Sequence, residues 1–110
     1  FINVGILLSC AARKYLDVRI ELDEARALAL DPTLDLALVR RLLGAVEAVC
    51  RGGAGGGPIG LLPPRARFHW LTAQRSAILQ TSPVHGGKCA DLDATMQHLL
   101  RRMVRVPGRD

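Results

Sequence analysis

Between Gly52 and Pro64 the chain reads GGAGGGPIGLLPP, and no long helix or sheet strand runs through such a stretch. The fold must therefore be assembled from a part before it and a part after it, joined by a connection. The glycines predict a flexible loop, and Pro58 to Pro64 predicts an extended return of the chain. A literal G-x-G-x-x-G lies within it, from Gly55 to Gly60. It follows a predicted helix, not a strand, and its prolines do not open the helix a pyrophosphate needs.

The first part carries clear periodicities. Ile2 to Ser9 is an apolar run suited to a buried strand. Tyr15 to Leu22 alternates, with Leu16, Val18, Ile20 and Leu22 on one side and Asp17, Arg19 and Glu21 on the other. The two runs predict an antiparallel hairpin. Asp23 is placed to cap a short helix through Leu30, which Asp31-Pro32 ends. Asp35 or Thr33 starts a longer helix to about Cys50, whose Leu36, Val39, Leu43 and Val46 recur at helical spacing.

After the connection, Arg67 to Ala73 and Ala77 to Thr81 read as two further strands, and Gly86-Gly87 as a turn. In the first of these strands Phe68 and Trp70 would pack beneath helices, with Arg67 and His69 facing the other way. Asp91 or Asp93 then caps a last helix to about Val104, and Pro107 to Asp110 reads as a frayed tail. The order β-β-α-α-β-β-α predicts an α+β domain over residues 1–106. It would have an antiparallel sheet of about four strands with helices on one face. Phe1 opens directly into a strand, which predicts that a preceding N-terminal strand is missing.

The chemistry lies in charge. The net charge is +5, with 13 arginines against two lysines. No carboxylate occurs between Glu47 and Asp91, and this acid-free stretch contains RFHWLTAQRSAILQTSPVHGGK, from Arg67 to Lys88. Arg, His and hydroxyl side chains in such a segment suit an anion, because guanidinium offers a planar fork to phosphate or carboxylate. The candidate anion-binding residues are Arg67, His69, Arg75, Ser76, Ser82 and His85, with Arg75 supplying the fork and the serines their hydroxyls. The competing reading makes Arg75 and Ser76 turn-fixing groups bonded to backbone carbonyls. An enzyme acting on a phosphorylated or nucleic-acid substrate through His69 and His85 is the alternative, but their spacing does not bring acid and base to one atom. Ser82 lacks a nucleophile elbow.

No metal or cofactor is implied. His69, His85, Cys89 and Asp91 lack ligand spacing, and Cys10, Cys50 and Cys89 are an odd, widely spaced set. Thiols so arranged predict a reducing cytoplasm. No apolar run approaches the roughly 18–20 residues that span a bilayer. The basic tail helix lacks a helix-turn-helix partner, so nucleic acid is not the expected ligand.

Taken in order, FINVGILLSC, YLDVRIEL, ALDPTLDLALVRRLL, GPIGLLPPRARFHWLTAQRS and QTSPVHGG resemble a bacterial family known as domain of unknown function 3037. The resemblance spans essentially the whole chain, and RFHWLTA and SPVH are its most specific strings. It departs from the family pattern at Gln74, Ala77 and Gly86, where a proline and two threonines are usual. The family has no established activity. The resemblance implies a protein partner, because members are encoded beside a kinase similar to the HipA toxin kinases. The resulting expectation is a non-enzymatic accessory or interaction domain, with a phosphate-containing group as a further candidate ligand.

Overall fold

The hairpin forms as its alternation requires. A computed structural model describes residues 2–73, 86 and 91–105. Strand β1 (Gly5–Cys10) pairs antiparallel with β2 (Tyr15–Ile20), with Leu7 opposite Val18 and Ser9 opposite Leu16. A turn of 3-10 helix, Ala11–Arg13, and Lys14 at φ 50° join the strands. Gly5 has no room for a side chain, since a Cβ would stand 2.7 Å from the Arg19 carbonyl oxygen across the ladder.

Helix α1 (Glu24–Leu30) begins where the Asp23 carboxylate accepts from the Arg26 N–H. Helix α2 (Leu36–Arg51) begins in the same way at Asp35, which accepts from Leu38 N–H. Each cap satisfies a donor that the first helical turn leaves open. Beyond α2 come a 3-10 turn (Ala54–Gly56), the single-turn helix α3 (Gly57–Gly60) and helix α4 (Pro64–Ala73). Helix α5 (Leu92–Leu99) is capped by Asp91 and continues into a π-helical turn, Leu100–Val104.

Alternation along β1 puts Leu7 on one face of the hairpin and Ile6 and Leu8 on the other. Leu7, Leu16 and Val18 pack on Val49, Cys50 and Leu71, from α2 and α4. Ile6 and Leu8 pack on Met96, Leu100 and Val104, of which Met96 and Leu100 are fully buried. The last turn is tied down by distant partners. The Asn3 amide donates to the Met103 carbonyl at 3.0 Å, and Arg105 forms a two-pronged pair with Glu21.

The architecture is α+β, with corrections to the expected layout. The sheet has two strands among the described residues, and helices cover both of its faces. Arg67 to Ala73 is helix, not strand. The expected strand at 77–81 and the tail at 107–110 lie outside the described residues. The Gly-Pro connection is neither a loose loop nor an extended return. Gly53 N–H donates to the Gly60 carbonyl at 2.7 Å, and a Cβ on Gly60 would lie 2.3 Å from the Gly53 oxygen. Close backbone packing, which glycine alone permits, has replaced flexibility there. No helix among the described residues is long and apolar enough to cross a membrane.

Candidate functional site

Pro63-Pro64 starts α4, and proline suits the first turn of a helix because the donor it lacks would be unsatisfied there. At 3.6 residues per turn, Arg67 and Leu71 share the inward face, and both are buried. Arg65 and His69 are exposed. Trp70 is exposed too, at 37%, so the expectation that it packs beneath helices is overturned by the change of period from two to 3.6. Phe68 is half-buried and meets the His69 ring edge-on.

Arg67 reaches back to the end of α2. Its Nη1 donates to the carbonyls of Val49 at 2.7 Å and Cys50 at 2.6 Å, and its Nε to Leu62 at 2.9 Å. The last carbonyls of a helix lack partners and carry partial negative charge, so a buried guanidinium satisfies both needs. Gly52 makes room for it. That residue ends α2 at φ 79°, and a Cβ there would lie 3.1 Å from the guanidinium. Burial first, and then the charge of Asp17, push the neighbouring Cys50 thiol up to about 11, with Arg67 pulling against them. Cys50 is thus an unreactive core residue.

Arg67 and His69 therefore do not share a face. Arg67, which a strand would have turned outward, is a tie between α2 and α4. Arg75, Ser76, Ser82 and His85 lie outside the described residues, as does Cys89.

A second cationic feature escaped the sequence. Where the hairpin turn meets the start of α4 there is an open cleft of about 420 Å³. Ser9, Cys10, Lys14 and Tyr15 line it from the hairpin, and Pro63, Pro64 and Arg65 from α4. Lys14 and Arg65 are exposed, and neither has an ion-pair partner among the described residues. The Tyr15 hydroxyl donates to Asp17, itself paired with Arg19. Burial, then Asp17, raise the pKa of that phenol, with Asp93 adding a smaller push, so the phenol stays protonated at neutral pH. Some fifty residues separate Lys14 from Arg65, and no local pattern announces their meeting.

Ion pairs among the described residues include Asp17–Arg19, Glu24–Arg40 and Glu21–Arg105. These three lie outside the acid-free stretch between Glu47 and Asp91. Within that stretch Arg51 and Arg65 are exposed without an acidic partner among the described residues. No three His, Cys, Asp or Glu side chains among the described residues are grouped as metal ligands would be.

The model of a family described as "Protein of unknown function (DUF3037)" matches residues 1–104 of the chain. No curated protein and no solved structure matches it.

Proposed function

The chain belongs to the DUF3037 family of proteins of unknown function, and from that premise we propose a non-enzymatic accessory domain that accepts anionic groups of a protein partner. The observation that carries this reading is the segregation of charge. The acids lie outside residues 48–90, and three of them, Asp17, Glu24 and Glu21, pair with Arg19, Arg40 and Arg105. The stretch from 48 to 90 has cations and no acid. Exposed, unmatched arginines favour carboxylate or phosphate groups through forked hydrogen bonds and steer an acidic partner toward that side.

The proposed surface comprises Arg51, Arg65 and His69, together with Arg75, Ser76, Ser82 and His85 from the following segment. Arg67 stands behind this surface as its support, since its guanidinium is engaged with carbonyls. Trp70, exposed on the same helix, adds an aromatic side chain of the type that anchors protein interfaces.

The test is calorimetric titration of the full chain with a glutamate-rich peptide and with pyrophosphate. An Arg51→Glu/Arg75→Glu variant should weaken peptide binding by at least about tenfold and flatten its salt dependence. Arg40→Gln, which removes an arginine already matched by Glu24, should leave binding within about twofold. Equal losses in both variants, or no binding at all, would refute the surface.

A further inference from the structure

The cleft between the hairpin turn and α4 is a different kind of feature from the charged surface: it is concave and walled mainly by apolar groups. We propose that it binds a small organic carboxylate with a flat apolar body. Its volume of about 420 Å³ falls within the usual range of small-molecule sites, roughly 300–1,000 Å³. Pro63, Pro64 and the Tyr15 ring supply apolar wall. Proline rings and a ring held by its hydroxyl at Asp17 order little further on binding, so the walls are already formed for a ligand.

Polarity is confined to a few points. Lys14 and Arg65 both line the cleft, one on the hairpin turn and one on α4, and neither is neutralised by a described acid. Two such cations select a negative head group, with Arg65 offering the fork and Lys14 a compact charge. Ser9 adds a hydroxyl that donates or accepts. The carboxylate nearest in the bonding network, Asp17, is already engaged by Arg19, Tyr15 and the Val18 N–H. An anion would be held at the cationic rim while its apolar body lies against the prolines and Tyr15. A bare inorganic anion would leave the apolar walls unused.

This inference needs no partner protein and shares only Arg65 with the surface reading. Lys14 takes no part in that surface, and the surface variants leave both Lys14 and Arg65 in place.

Cys10 lines the cleft and gives it a built-in reporter, while buried Cys50 is an internal reference. The experiment follows alkylation of each cysteine by iodoacetamide, read peptide by peptide by mass spectrometry. Phenylacetate is the probe and phenylacetamide its neutral counterpart. Amide shifts of Ser9, Tyr15 and Arg65 in nitrogen-15 NMR spectra are followed in the same titration, so the result does not depend on thiol reactivity. Phenylacetate should shift those amides saturably and slow Cys10 alkylation at least about fivefold, with phenylacetamide at least about tenfold weaker. The Lys14→Asn/Arg65→Gln variant should need at least about tenfold more phenylacetate, asparagine being chosen because it tolerates positive φ. Absence of saturable shifts up to about 20 mM phenylacetate, equal binding of the neutral amide, or an unaffected double variant would each overturn the site. Loss of peptide binding in the Arg51→Glu/Arg75→Glu variant with phenylacetate binding intact would separate the two proposals.

Discussion

Arg65 and Arg67 stand two positions apart near the start of α4, and about 200° of helical rotation sends them to opposite kinds of place. Arg67 enters the junction of α2 and α4, where three backbone carbonyls receive it and Gly52 leaves it space. Arg65 stays exposed and lines the cleft that Lys14 also lines. The same side chain is thus cement in one region and an available charge in the other. Geometry, and not residue type, decides which. In a segment without acids, a guanidinium turned inward finds carbonyl oxygens as its partners, and one turned outward keeps its charge for a ligand.

The sharpest way to break this contrast is to remove the inner arginine. Arg67→Ala should cost about 3 kcal/mol of stability, because it strands helix-end carbonyls in a buried place. Urea unfolding would measure it, and Arg67→Lys should recover part of the loss without restoring the fork. Next comes the connection that delivers α4. Gly60→Ala should cost about 2 kcal/mol, since the added methyl runs into the Gly53 carbonyl and the backbone must shift. Gly53 is a poor place for the same change because of its positive φ, whereas Gly44→Ala, with open space around it, should be neutral or mildly stabilising.

Smaller effects belong to elements that the two regions share. Asp35→Ala and Asp91→Ala should each cost about 1 kcal/mol through loss of an N-cap, measured by the same unfolding curves. At the outer end of the scale is Glu21, whose pair with Arg105 holds its carboxyl below the usual glutamate range. A carboxylate lowered on folding stabilises the protein above its unfolded pKa and loses that contribution as pH falls through the folded one. Glu21→Gln should therefore narrow the difference in melting temperature between neutral pH and about pH 3, slightly, because the pair is partly exposed.

Much of the scaffold was legible in the sequence because it rests on local rules. The alternation of YLDVRIEL specified the hairpin, Asp23 marked one helix start, and of the paired candidates Asp35 or Thr33 and Asp91 or Asp93 the structure realises Asp35 and Asp91 as N-caps. RFHWLTA misled for an identifiable reason. Aromatic residues, threonine and an apparent alternation favour a strand on local grounds. Yet Arg67 and Leu71 also satisfy i, i+4 spacing, and the Pro63-Pro64 pair just before is a helix-start signal that outranks the alternation. Reading that signal would have turned His69 and Trp70 outward and Arg67 inward. The cleft had no comparable local trace. It exists because the tight Gly53–Gly60 contact folds the connection back and brings Pro63 to Arg65 beside the hairpin turn. Such a meeting depends on tertiary packing that no window of sequence contains.

The most direct measurement sets the two arginines side by side. Urea unfolding of Arg65→Ala and Arg67→Ala should separate them widely, with a loss of about 3 kcal/mol at Arg67 and less than about 0.5 kcal/mol at Arg65. Equal losses at the two positions, or a larger loss at Arg65, would contradict the division between an arginine that binds the fold together and one kept for a ligand.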